Sequence, residues 1–168
     1  MGVQEVLNSE QGSDSTSFRH SLLTDLMALQ QMLEGGLFEA DMTRIGVEQE
    51  MLLVDRTYRP APISSELLSG LGDSAFTTEM GKFNLEANLP PRKFERDCLR
   101  SLEAELNVLV HRAAAAARAH SCDVLLTGIL LTARASDLGL NNLTDKPRYH
   151  ELNRAVMGVS GRLVPALH

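Results

Sequence analysis

The chain has no tryptophan, two cysteines, few aromatic residues and no excess of positive charge. Each scarcity removes a class of function. Cys98 and Cys122 are too few and too scattered for a disulfide framework or a cysteine-built zinc site. Cys98 is expected to pack as a small apolar residue on a helix. His20, His111, His120, His150 and His168 show no ligand spacing such as His-x-x-x-His. A formal net charge of −6 argues against a general nucleic-acid binder, which would carry a basic patch. No apolar run is long enough to span a bilayer, so a membrane is not an expected partner and the cytoplasm is the expected compartment. The phosphate loop Gly-x-x-x-x-Gly-Lys-Ser/Thr is missing too, which excludes a Walker-type grip on a nucleotide.

What is present fits one domain with a real core: 168 residues, of which 43% are hydrophobic. Residues 1–17, dominated by Ser, Gly, Gln and acidic side chains, read as a disordered tail. Leu22, Leu23, Leu26, Leu29, Met32 and Leu33 then recur at helical spacing and are expected in the core, with Gly35-Gly36 as the stop. A strand from Arg44 to about Asp55 follows, then a connection through Pro60 and Pro62 and a short helix over 64–71. A second strand runs through Glu79–Asn88, and Pro90-Pro91 should end it. The clearest helix runs from Phe94 to Ala119, with Leu99, Leu102, Leu106, Leu109 and Ala113 as its apolar stripe. Val124–Thr127 reads as a buried strand. The last helix has Thr144 or Asp145 as its cap and Pro147 in its first turn. The expected fold class is α+β, a mostly antiparallel sheet with helices packed on one face.

The two strands are unusual because each is apolar on one side and acidic on the other. Side chains two apart in a strand share a face. Glu48 therefore stands beside Glu50, while Ile45, Val47, Met51 and Leu53 point the other way. In the second segment Phe83, Leu85, Ala87 and Leu89 oppose Asn84, Glu86 and Asn88. Like charges so placed repel unless a cation lies between them, and hard divalent ions take oxygen ligands of this kind. A plainly solvated acidic face is the alternative reading. Glu79 and Glu86 are seven apart, an odd offset that separates them to opposite faces of one regular strand, so a shared site requires a bend near Gly81. Arg148 and Lys146 stand near a helix start, where an arginine could grip a carboxylate or phosphate with two hydrogen bonds; a surface ion pair is the alternative. Asn84, on the Glu86 face, could orient a carboxylate, contact the substrate or serve a structural hydrogen bond.

Gly46-Val47-Glu48-Gln49-Glu50 with Leu53-Val54-Asp55 resembles the opening motif of the glutamate–cysteine ligase type 2 family. Thr78 to Pro91 is similar to that family's second acidic motif. Leu126-Thr127-Gly128-Ile129-Leu130-Leu131-Thr132 and Asn142-Leu143-Thr144-Asp145-Lys146-Pro147-Arg148-Tyr149 agree in order and spacing, with Leu131 where a proline is expected. The resemblance implies a glutamine-synthetase-like catalytic sheet and an ATP-dependent carboxylate–amine ligase. Glutamate would be joined to cysteine through an acyl phosphate, giving γ-glutamylcysteine. It implies Mg2+ or Mn2+ held by Glu48, Glu50, Glu79 and Glu86, with ATP as co-substrate. Arg148 is then the candidate catalytic residue, and Asn84 and Lys146 the candidates for cofactor binding. Amino acids and ATP are the expected partners, and self-association through unpaired sheet edges is expected as well. Family members continue further, so residues 18–168 are expected to be the N-terminal portion of such a catalytic domain. The rival reading is a catalytically inactive regulatory or assembly module that keeps the ligase fold.

Overall fold

The computed structural model describes the backbone of residues 15–160 and the side chains of residues 16–157. The alternating rows of the two acidic segments set its centre. β1 (Arg44–Val54) and β3 (Asn84–Lys93) pair antiparallel over nearly their whole lengths. β2 (Phe76–Thr78) and β4 (Asp123–Leu125) flank them in the order β2-β3-β1-β4, and every ladder is antiparallel. The expected α+β architecture is the one observed.

On one face Met51 and Leu53 of β1, Phe76 of β2 and Leu85 and Ala87 of β3 form a continuous apolar surface. Helices α2 (Ser64–Leu71) and α3 (Cys98–Ala119) cover it with Leu67, Leu109, Ala113 and Ala117. Ala113 and Ala117 are fully buried. Their lack of bulk lets α3 lie close to the strands, as a densely packed interior requires. Each leucine-sized side chain buried here contributes about 1.5–3 kcal/mol.

The other face is divided. Leu52, Val54, Phe83 and Leu130 make a second, smaller cluster where the segment after β4 folds back over one end of the sheet. Arg59 holds that segment through Asp137 at 2.8 Å. The turn after β2 holds it again, through a bridge of Gly81 to Leu143 and a 2.8 Å bond from the Lys82 amide to the Asn142 carbonyl. The Glu48–Glu50 end of β1 is left open. It has β3 on one side, and among the described residues β4 reaches only Leu52–Val54 on the other.

Several expectations need correction. Pro90-Pro91 does not end its strand: β3 runs through to Lys93, which pairs with Arg44. The prolines are accommodated by a bulge, two residues of β3 opposite Gly46 alone, where missing N–H groups break no regular ladder. β2 was not anticipated, because three residues show too little alternation to read. α3 begins at Cys98 rather than Phe94, after a backbone reversal in which Arg96 takes φ 51°. The buried stripe of α3 runs through Cys98, Leu102, Leu109, Ala113 and Ala117, so Leu99 lies to its side and is exposed, whereas Cys98 is buried as expected. β4 is a half-exposed edge strand and stops at Leu125. Thr144 does not cap the last helix, α4 (Pro147–Ser160); its hydroxyl donates to the Glu79 carbonyl at 2.6 Å.

The first helix, α1 (Ser15–Glu34), ends where expected. Gly36 takes φ 62°, and the Leu37 and Gly36 amides donate back to the Met32 and Leu33 carbonyls, a glycine-terminated C-cap. The apolar stripe of α1 is not core, however. Leu22, Leu26, Leu29 and Leu33 are all exposed, because α2 and α3 already cover the apolar face of the sheet. Of the tail expected over residues 1–17, residues 1–14 lie outside the described residues and residues 15–17 form the first turn of α1. No helix among the described residues is long and apolar enough to cross a membrane.

Leu85 is fully buried at the centre of the main cluster. Leu85→Ala should lower the unfolding free energy by about 2–5 kcal/mol through lost burial and a residual cavity. Urea denaturation followed by circular dichroism measures this. A loss under about 1 kcal/mol would show that the helical layer is not packed on β3 as described.

Candidate metal centre

Register brings the carboxylates together. Glu50 on β1 and Glu86 on β3 are direct antiparallel partners, so their side chains rise from the same face of the sheet. Thr77 of β2 lies opposite Glu86, and Glu79, two residues further on, projects to that same face. The odd offset between Glu79 and Glu86 is thus resolved by a chain reversal rather than by a bent strand. The two glutamates stand on either side of the Met80–Phe83 turn of a hairpin. Gly81 leaves room in that turn for its neighbours: a Cβ there would lie 2.8 Å from the Asn84 Oδ1 and 3.2 Å from the Phe83 ring, so both side chains would have to shift.

One carboxylate oxygen from each of Glu50, Glu79 and Glu86 lies within 4.8 Å of the others. Glu86 is oriented by Asn88, whose Nδ2 donates to its Oε1 at 2.5 Å. Asn88 is buried. Sequence reasoning placed it on the acidic row without giving it a role; the Asn-x-Glu-x-Asn alternation was the available signal. Thr144 is a second residue that was missed, and it fixes the backbone of Glu79.

Among the described residues, no lysine, arginine or histidine forms an ion pair with these three carboxylates. The repulsion shows in Glu79, whose pKa is pushed up to about 7. Burial is the largest cause, followed by the hydrogen bond shared with Glu86 and the charges of Glu86 and Glu50. The donor set consists of carboxylate oxygens, is partly buried and, among the described residues, is not directly ion-paired. That set fits a hard divalent cation such as Mg2+ or Mn2+, and it lacks the nitrogen and sulfur ligands that zinc sites favour.

The other predicted residues are placed less centrally. Glu48 shares the face but stands outside the carboxylate group. It lies opposite Asn88 and lines a separate groove of about 710 Å³ with Asp73 and Pro90-Pro91. Asn84 lines a cavity next to Glu79. Arg148 stacks its guanidinium 4.4 Å from the centre of the Tyr149 ring and donates to the Tyr149 hydroxyl. Tyr149 is itself buried, with its hydroxyl 3.4 Å from the Thr78 carbonyl. Burial raises the pKa of that phenol, and the charges of Glu79 and Glu86 raise it further. Lys146 is half-buried beside them. Burial lowers its pKa, as does Arg148, while Glu79 and Glu86 act in the opposite direction. The start of α4 therefore feels the field of the carboxylate cluster without pairing to it.

The family model described as glutamate-cysteine ligase family 2 (GCS2) matches residues 44–166. The chain belongs to this family. Neither a curated protein nor a solved structure matches it. The family span contains Glu50, Glu79, Glu86, Asn88 and Arg148 and leaves α1 outside.

A carboxyl whose folded pKa exceeds its unfolded value stabilises the fold below the unfolded pKa and loses that contribution as pH rises through the folded one. For Glu79 the window runs from 4.5 to about 7. Metal-free wild-type protein should lose stability across this window relative to Glu79→Gln, which keeps a hydrogen-bonding group and cannot ionise. Thermal melts of both proteins in chelator between pH 4.5 and pH 8 provide the test. Parallel curves would mean that Glu79 carries no such strain.

Proposed function

We propose that this chain carries the metal-binding wall of an ATP- and Mg2+-dependent carboxylate–amine ligase, with glutamate and cysteine as the pair that the family description supplies. The observation that supports the reading is the convergence of Glu50, Glu79 and Glu86 on one sheet face within the family span. Mn2+ would serve in place of Mg2+, and a cytoplasmic setting suits ATP as co-substrate.

A carboxylate must gain a good leaving group before an amine can displace it, and ATP supplies that group as phosphate. When bound, the divalent cation would offset negative charge on the phosphates at the carboxylate cluster. The remaining work belongs to the protein's own groups. Glu50 and Glu86 hold fixed positions through strand register, and Asn88 keeps the Glu86 carboxylate turned into the site. Thr144 fixes the Glu79 backbone, so that the third carboxylate moves with the sheet. Arg148 is pre-set by stacking on Tyr149, which lowers the entropy cost of presenting its planar donors to a carboxylate or phosphate. Lys146 is a candidate second cation for the same anionic substrates, and Asn84 a neutral contact at the edge of the cluster.

Two measurements bear on this reading. Mg2+ should raise the melting temperature of the wild type by mass action. Glu86→Gln should lose most of that response, and Glu48→Gln should keep most of it, since Glu48 stands outside the group. Equal responses in all three proteins would remove Glu86 from the site. In the second measurement, ADP release that depends on both glutamate and an amine should fall on the order of 100-fold in a folded Glu86→Gln protein. Release independent of either substrate would count against ligation.

An assembly role is favoured by one specific observation, the exposed apolar face of α1 outside the family span. Sedimentation velocity separates the readings. A stable oligomer without Mg2+-dependent ADP release would support the inactive module.

A further inference from the structure

Every side chain of residues 16–34 in α1 is exposed, whereas α2, α3 and α4 each bury part of theirs. Helices in proteins take most of their stability from burying an apolar face. α1 has such a face, and no described element covers it. Leu22, Leu26, Leu29 and Leu33 follow one another at steps of four, three and four, which keeps them on one side of a helix. Leu23 and Met32 flank that row, and the six side chains are 39% to 63% exposed. α1 also lies outside the family span, so its face is carried in addition to the ligase fold.

We propose that α1 is a self-recognition helix and that two copies of the chain pair through it in antiparallel fashion. The apolar positions reverse onto themselves about the midpoint between Met27 and Ala28. Leu26 exchanges with Leu29, Leu23 with Met32 and Leu22 with Leu33. A second copy running the other way therefore sets apolar on apolar at every level, the self-complementarity that a two-fold interface demands. Parallel pairing would instead stand Arg19 on Arg19 and align the two helix dipoles. In the antiparallel pair Arg19 lies level with Gly36 of the second copy, where a cation suits the negative end of a helix. A two-helix seam of about 20 residues buries roughly 600 Å² from each copy, the lower end of the range for stable complexes. A lipid surface fits less well, because helices that lie on membranes carry several basic residues on the polar face, and α1 has Arg19 alone. The pairing is independent of either reading of the carboxylate site.

Sedimentation velocity of the whole chain should show a dimer with a Kd of about 1 µM or tighter. A substitution on a two-fold seam counts twice, so Leu26→Asp and Leu29→Asp should each weaken the dimer by about 100-fold or more. Both leucines are exposed in the single chain, so the variants keep the fold of the sheet and its helices, which circular dichroism checks. Thr24→Asp, on the side of α1 away from the leucines, should leave the dimer unchanged. Orientation is read by cross-linking in a Cys122→Ser background, where the remaining Cys98 is buried. Oxidation should join Leu22→Cys chains to Leu33→Cys chains in a mixture and join neither to itself. Wild type that stays monomeric at about 100 µM would overturn the proposal. So would a dimer indifferent to Leu26→Asp and Leu29→Asp, which would place the contact on the unpaired sheet edges. Leu22→Cys chains that join to one another would overturn the antiparallel arrangement. A monomer that sediments with phosphatidylcholine–phosphatidylglycerol vesicles, and loses this in Leu26→Asp, would make α1 a membrane-surface helix instead.

Discussion

The antiparallel register of β1 against β3 is the constraint on which the rest depends. It sets Glu50 opposite Glu86 and Met51 opposite Leu85 in the same ladder. Because the side-chain period of a strand is two, a slip of one residue would send the carboxylates into the helical core and the leucines into water. The core and the candidate site are therefore specified by the same pairing. Burial of Met51, Leu53, Leu85 and Ala87 beneath α3 resists the slip, and the repulsive carboxylates are carried on the far side of that well-anchored pair.

Much of this was legible in the sequence, for physical reasons. Alternation marked both acidic strands, and paired glycines marked the end of α1. α2 has the expected span because Gly72 takes the left-handed conformation that closes it. The errors came where local signals compete with long-range pairing. Prolines usually end strands, but here a bulge opposite Gly46 absorbs them. The leucine stripe of α1 has the pattern of a core helix, and pattern alone does not say whether a partner surface is free. Thr144 looked like a helix cap because its sequence neighbours suited that role, whereas its partner Glu79 is 65 residues away.

The candidate site was legible in composition and less so in membership. Glu48, Glu50 and Glu86 were grouped by strand parity, and parity does set them on one face. Proximity then depends on position along the ladder, where Glu48 lies opposite Asn88 and Glu50 opposite Glu86. Glu79 was the doubtful member on parity and is nevertheless inside the group, since the chain turns back between it and Glu86. Asn88 could be named only once its hydrogen bond was visible. The segment after β4 carries little periodicity, and its placement is set by contacts at a distance: Arg59 with Asp137, and Gly81 with Leu143.

The bulge at Pro90-Pro91 bears on how the protein behaves in a crowded solution. β2 pairs with β3 only as far as Ala87, and the Asn88 amide bonds the Ala75 carbonyl just beyond, so the remainder of β3 has no described strand on that side. A bare strand edge is a template on which another chain can add. Proline lacks an amide donor, so Pro90-Pro91 interrupts the hydrogen-bonding edge of that stretch, and the bulge breaks the regular register an incoming strand would follow. Aggregation is thereby discouraged along the very strand that holds Glu86.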